Sequence, residues 1–233
     1  MKFKLMGLCS AALLALAAGS GAALAGTLTW NFYTLTGSPG EPGYDLGSNS
    51  ATFTQNGQGL FVEAGTQSGC GSISNWCPDF TTDLFAKNGG PGEQGLGLTN
   101  DPYHDNEIAS PDGIYLGLQD LGHATSVQMG SVQLGETWAI WGTNNFAGIG
   151  TWTEIASGVG TGAMVNYSSS LLGQFDQLIV ADPLLTNQDG GNSNNIVLAS
   201  ITTAPEPGAL ALFAAGLLGC ALFVSRRRYL RQR

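Results

Sequence analysis

The sequence predicts an all-β fold, an antiparallel β-sandwich of jelly-roll-like connectivity, for residues 26–203. Apolar runs recur along this region, but each is only four to nine residues long. Turn-forming residues separate the runs, as in the segments 37–40, 88–92 and 189–192. No stretch before residue 208 keeps a helical period for three turns without a glycine. Many short strands with frequent turns are typical of a sandwich of two sheets.

The individual strands are predicted from alternation of apolar and polar residues. Leu28, Trp30 and Phe32 alternate with Thr29 and Asn31, so the two sets lie on opposite faces of one strand. A β-solenoid is the second choice of fold, and the lack of a fixed repeat period counts against it. The predicted strands cover residues 27–35, 51–54, 59–64, 83–86, 95–98, 113–118, 126–134, 137–141, 151–156, 163–167, 174–181 and 195–201.

The first 25 residues are predicted to be a cleaved signal peptide. Lys2 and Lys4 precede an apolar stretch rich in Leu and Ala. The stretch ends in a small-x-small pattern in which Ala23 and Ala25 are the small residues. Signal peptidase is therefore expected to cut after Ala25. A retained membrane anchor is the alternative, and glycines late in the apolar run weaken it.

A second apolar segment, residues 208–224, is predicted to be a transmembrane helix. Its seventeen residues carry no charge and would span roughly 26 Å at ~1.5 Å per residue. That length is at the short end of what a bilayer requires. Arg226, Arg227 and Arg228 follow at once and form a stop-transfer cluster, which the positive-inside rule places in the cytosol.

Residues 204–233 resemble a PEP-CTERM sorting signal. The motif Pro205-Glu206-Pro207 comes first, the apolar segment follows, and the arginine cluster closes the chain. The same tail is similar to what is called an ice-binding protein C-terminal domain, a name that carries no information about ice binding. The resemblance implies a Gram-negative exported protein whose partners are the secretion machinery and an exosortase, a membrane enzyme that cuts near the PEP motif.

The resemblance also implies a location and a context. Such substrates commonly accompany exopolysaccharide production, so exopolysaccharide is an implied partner. The chain would sit in the inner membrane transiently, through its C-terminal helix, and then reach the cell surface or the extracellular matrix.

The charge distribution excludes nucleic acid as a partner. Residues 26–204 hold sixteen of the seventeen acidic residues and one of the eight basic ones, which gives a formal net charge of −15. Affinity for nucleic acid comes mainly from neutralisation of phosphates by Lys and Arg. A surface this acidic repels phosphates and suits a soluble domain outside the cell.

Two cysteines remain in the predicted exported domain. Cys70 and Cys77 form an even pair in an exported chain, and the six residues between them allow a local disulfide. The loop would stabilise the fold by on the order of 2–3 kcal/mol in the chain-entropy model. Zinc is not expected, because no further Cys or His flanks the pair.

The sequence nominates no catalytic residue. It contains neither a zinc-protease motif, nor a nucleophile elbow, nor a phosphate-binding loop. No cofactor is expected, although Asp101, Asp105 and Glu107 bring oxygen donors together in a loop that could bind calcium. A solvated turn between strands is the simpler interpretation, since the spacing differs from that of an EF-hand loop.

Three tryptophans lie close together, and two of them are candidates for stacking on a sugar ring. On a strand Trp138 and Ile140 share one face, so Trp141 lies on the other. Trp141 and Trp152 are therefore candidate glycan-stacking residues, against the commoner role of tryptophan as a core residue. The leading hypothesis is a non-enzymatic matrix component. A carbohydrate-binding module, with or without calcium, and a secreted glycoside hydrolase are the alternatives.

Overall fold

The structure of the protein is a computed structural model. It describes residues 26–35, 43–67, 75–90, 92–100, 106–119, 121–145, 150–162, 164–182, 195–204 and Gly216. The chain divides into two units, of which one is Leu28–Ala204 and the other comprises Met1–Thr27 and Pro205–Arg233. The unit Leu28–Ala204 is a β-sandwich.

Two antiparallel sheets make up the sandwich, and two 3-10 turns, Phe32–Thr34 and Leu172–Gln174, accompany them. In chain order the strands are β1 (Leu28–Asn31), β2 (Tyr44–Asp45), β3 (Ser50–Gln55), β4 (Gln58–Thr66), β5 (Asn75–Pro78), β6 (Leu84–Asn88), β7 (Gln94–Leu98), β8 (Ile108–Ala109), β9 (Asp112–Gly117), β10 (His123–Gly130), β11 (Thr137–Thr143), β12 (Gly150–Thr151), β13 (Thr153–Val159), β14 (Val165–Ser168), β15 (Gln177–Ala181) and β16 (Asn195–Ala204).

The first sheet has the order β14-β10-β16-β7-β6-β2, with β1 and β8 also paired to β16. The second has the order β12-β5-β4-β9-β15-β11-β13, with β3 paired to β4. From β9 onward the chain crosses repeatedly between the sheets. If β7, β9, β10, β11, β13, β14, β15 and β16 are counted as strands one to eight, the first sheet contains 6-3-8-1 and the second 2-7-4-5. This interleaving is the connectivity of a jelly roll.

The core lies between the two sheets and is built from the alternating inward side chains of both. Leu60 and Val62 of β4 and Ile114 of β9 represent the second sheet, and Val127 of β10 and Leu198 of β16 represent the first; each is fully buried. Every second residue of these strands points into one apolar layer, which is why the sequence pattern has a period of two.

The sandwich predicted from the sequence is confirmed. The predicted inward residues are confirmed as well, since Leu28 and Trp30 of β1 and Phe32 of the following 3-10 turn all belong to the core. The predicted strand over 27–35 is too long, because β1 ends at Asn31 and a 3-10 turn follows. Strand β5, which carries Trp76 and Cys77, was not predicted.

The two predicted terminal helices lie outside the described residues. This applies to the signal peptide over 1–25 and, apart from Gly216, to the apolar segment 208–224, so both stay predictions. Within the ranges that the structure describes, no helix is long and apolar enough to cross a bilayer.

Candidate functional site

The outer face of the second sheet, which points away from the core, carries a row of large side chains. Strand register places Glu63 of β4 beside Tyr115 of β9, Tyr115 beside Ile179 of β15, and Ile179 beside Trp141 of β11. Their neighbours along each strand point into the core. One row across four strands therefore combines a carboxylate, a phenol, an aliphatic side chain and an indole.

The adjacent row consists of small residues, and it makes room for a tryptophan. Gly65, Gly113, Ala181 and Ala139 lie side by side on β4, β9, β15 and β11. A Cβ on Gly113 would lie 2.9 Å from Cζ3 of Trp76, which is too close for two carbon atoms that are not bonded to each other. The ring of Trp76 thus rests directly on the backbone of the sheet, where a larger row would push it away.

Three aromatic rings on this face, those of Phe61, Tyr115 and Trp152, make edge-to-face contacts. The ring centroids of Phe61 and Tyr115 are 6.0 Å apart at an interplanar angle of 69°. Those of Tyr115 and Trp152 are 6.1 Å apart at 85°. These separations are typical of favourable aromatic pairs, so the rings hold one another in fixed positions.

The aromatic residues line an open cavity, which we call the outer-face pocket. Its volume is about 230 Å³, below the roughly 300–1,000 Å³ of sites that enclose drug-sized ligands. It has room for one small ring or for part of a polymer. The principal lining residues are Phe61, Glu63, Trp76, Tyr115, Trp152 and Ile179.

The electrostatics of the outer-face pocket depend on Glu63. Burial raises the pKa of its carboxyl above the usual 4.5. Burial, and secondly the charge of Glu63, raise the pKa of Tyr115 to about 12. No hydrogen bond or ion pair with another described residue engages the Glu63 carboxylate. The pocket therefore contains one carboxyl group against aromatic walls.

Two buried donors adjoin the pocket. The indole Nε1 atoms of Trp76 and Trp152 have no hydrogen-bond partner among the described residues. Glu63 supplies a carboxylate acceptor to a surface formed largely by aromatic side chains. Sites of this composition bind ligands that have an apolar face and a few polar groups.

The structure separates the tryptophans as the alternation predicts. Trp138 packs into the main core, and Trp141 lies on the outer face beside Trp76 and Trp152. Trp152 is only 3% exposed, so it is a wall of the outer-face pocket and not an exposed platform. The exposed ring is that of Phe61, at 39%.

The main residues of the pocket were not predicted from the sequence. Phe61, Glu63 and Tyr115 were not nominated. Alternation along β4 and β9 nevertheless places them on the face of each strand that points away from the core. The missing information was the cross-strand register that joins β4 to β9. Trp76 was missed because its short strand was not predicted.

One residue of the proposed calcium loop is occupied by other contacts. The buried Glu107 carboxylate forms an ion pair with Lys87 and accepts a hydrogen bond from the Ser131 hydroxyl. Asp101 and Asp105 lie outside the described residues. Among the residues that are described, no group of three or more His, Cys, Asp or Glu side chains could hold a metal ion. A calcium site stays a prediction.

The disulfide also stays a prediction. Cys77 lies in β5, whose register pairs it with Thr66 of β4, and it lines the outer-face pocket. Cys70 is outside the described residues. A bond between these cysteines would tie β5, and with it Trp76, to the chain that follows β4.

The sorting residues lie outside the described residues as well: Ala23, Ala25, the segment Pro205–Glu206–Pro207, and Arg226, Arg227 and Arg228. A family model nevertheless confirms the predicted sorting signal: residues 203–228 match the PEP-CTERM protein-sorting motif. No curated protein and no solved structure matches the chain. The motif supports an exported protein that an exosortase sorts and processes. The chain is therefore a protein that carries a PEP-CTERM sorting domain at its C-terminal end.

Proposed function

We propose that the protein is a non-enzymatic structural component of an exopolysaccharide matrix at the cell surface or outside the cell. The observation that carries the proposal is the PEP-CTERM motif at residues 203–228. The strongly acidic sandwich supports it, because a high net charge keeps an exported domain soluble in a hydrated polymer.

A non-enzymatic role is favoured over glycoside hydrolysis. Hydrolysis requires two carboxyl groups about 5–10 Å apart on either side of the scissile bond. Among the described residues that line the outer-face pocket, Glu63 is the one carboxylate. A hydrolase would need a second carboxylate facing it.

The sorting proposal is tested by replacing Pro205, Glu206 and Pro207 together with alanine in the native host. We expect the variant to stay in the membrane fraction at the mass of the unprocessed tail, while the parent protein is released or transferred. Gln232→Ala, outside the matched residues, is the control and should be processed normally. Normal processing of the triple variant would contradict the proposal.

Intact-mass analysis of the exported protein extends this test to both processing sites. A mass that begins at Gly26 and ends near the PEP motif is expected. Comparison of the mass before and after reduction shows whether Cys70 and Cys77 are joined. A chain with both terminal segments retained would remove the basis for export and sorting.

A second candidate function is carbohydrate binding through the outer-face pocket. Aromatic walls with a few polar groups suit a sugar ring, which has apolar faces and a polar rim. We expect Phe61→Ala to weaken binding on a glycan array by up to about tenfold, since a stacked ring contributes on the order of 0.5–1.5 kcal/mol. Tyr44→Ala, which removes a similarly exposed ring from the first sheet, is the control. An array with no hits would exclude this function.

A further inference from the structure

We propose that the outer-face pocket recognises an amino sugar through its ammonium group. This inference rests on the carbohydrate-binding function proposed above and narrows its ligand class. The combination that points to it is a pocket lined by aromatic side chains together with a carboxylate that has no cationic partner among the described residues.

The walls of the pocket suit a cation. Phe61, Tyr115, Trp76 and Trp152 all line it, and the successive centroids of Phe61, Tyr115 and Trp152 lie about 6 Å apart. A cation is attracted to a ring face when it lies within about 6 Å of the centroid, most strongly for tryptophan and tyrosine. An ammonium group inside so small a cavity is therefore close to more than one ring.

The charge of the pocket suits a cation as well. Glu63 lies beside Tyr115 in the strand register and makes no ion pair with a described residue. The single basic residue between positions 26 and 204 is Lys87, and the carboxylate of Glu107 already binds it. No lysine or arginine of residues 26–204 therefore remains to pair with Glu63.

A neutral sugar satisfies this site less well than an amino sugar. Hydroxyl groups can donate hydrogen bonds to Glu63, but they leave its desolvated charge uncompensated. An ammonium group donates hydrogen bonds, neutralises the charge and contacts the rings together. Charge-assisted hydrogen bonds are roughly twice as strong as neutral ones. The volume of about 230 Å³ fits one ring of a chain and not a long segment.

The test is calorimetric titration of the purified exported protein at neutral pH and low salt. The probes are glucosamine, which carries an ammonium group, and N-acetylglucosamine, in which the same nitrogen is neutral. We expect glucosamine to bind at least about tenfold more tightly. Tetramethylammonium should displace it, because it competes for the same rings.

Two variants locate the effect. Glu63→Gln keeps the shape of the side chain and should abolish the preference for glucosamine. Glu154→Gln, an exposed carboxylate on β13 of the same sheet, is the matched control and should retain the preference. Because protonation of Glu63 removes its charge, glucosamine binding should also weaken as the pH falls through the raised pKa of this carboxyl.

The outcomes separate this inference from the function on which it rests. Equal binding of both sugars, or retention of the preference in Glu63→Gln, overturns the amino-sugar assignment and leaves carbohydrate binding intact. Failure of tetramethylammonium to displace glucosamine overturns recognition of the ammonium group. Failure of both sugars to bind overturns the inference and the carbohydrate-binding function together.

Discussion

Glu63 is a half-buried carboxylate, and we expect its burial to lower the stability of the sandwich at neutral pH. Burial disfavours its charged form, which is why its pKa is raised. It makes no hydrogen bond or ion pair with a described residue that would offset this cost. A glutamine of the same size would avoid it. The amino sugar proposed above would explain why a carboxylate is kept here, because its ammonium group would offset this cost.

This explanation gives a pH-dependent prediction for Glu63→Gln. A carboxyl with a raised native pKa contributes stability below its unfolded pKa and loses that contribution as the pH rises through its native pKa. The variant lacks this loss, so at neutral pH it should be more stable than the parent, by no more than about 1 kcal/mol because water screens a half-exposed group. Below about pH 4 the difference should vanish. Denaturant unfolding at both pH values measures it, and a destabilised variant at neutral pH would refute it.

Lys87 and Glu107 differ from Glu63, because each of these two charges is compensated by the other. Both side chains are almost fully buried in one ion pair. Lys87→Met leaves the Glu107 carboxylate buried without its cation, and breaking a buried pair in this way costs about 3–5 kcal/mol. The unfolding midpoint in denaturant should fall accordingly.

A double variant provides the check on this value. Lys87→Met combined with Glu107→Leu removes both charges, so it should be clearly more stable than Lys87→Met alone. Glu154→Gln, at an exposed position, should change stability by no more than about 0.5 kcal/mol. If the double variant were no more stable than the single one, the uncompensated charge would not be the cause.

Strand β5 contributes to the pocket because its Trp76 packs on the row of glycine and alanine residues of the second sheet. A Cβ on Gly113 would meet Trp76 and Ile179, each at 2.9 Å. Gly113→Ala must therefore lift the tryptophan or shift the strand. We expect a loss of about 1–3 kcal/mol, the usual cost of overpacking, together with a change in tryptophan fluorescence.

Gly117→Ala is the matched control for this strand. Gly117 lies four residues further along β9 on the same face, and its nearest contact for a new Cβ is 3.5 Å, an ordinary van der Waals distance. This variant should unfold within about 0.5 kcal/mol of the parent protein. Equal losses in both variants would show that β9 itself, and not the seat of Trp76, is sensitive.

The strands show what could be predicted from the sequence and what could not. Alternation located β1, β4, β9 and β11 and placed Trp138 and Trp141 on opposite faces, because a strand's own residues determine which face each one takes. The pocket, however, joins β4, β5, β9 and β15, and alternation does not determine which strands are neighbours. Strand β5 was missed because its four residues, ending in Pro78, contain too little alternation.

The dominant property of the sandwich is its negative net charge. Residues 26–204 carry a formal net charge of −15, and such self-repulsion opposes the compact state. Screening shortens the range of this repulsion from about 30 Å at 0.01 M salt to about 3 Å at 1 M. Added sodium chloride should therefore raise the melting temperature of the exported protein by a few degrees.

Divalent cations distinguish this general screening from a specific calcium site. Since Glu107 is held by Lys87 and Ser131, the loop that contains Asp101 and Asp105 has lost one of its proposed ligands. We therefore expect calcium and magnesium chloride, at equal ionic strength, to raise the melting temperature equally. A larger shift with calcium, reversed by a chelator, would instead show a site with the six to eight oxygen ligands that calcium prefers. In that case the loop, and not the net charge, would couple the sandwich to its ionic surroundings.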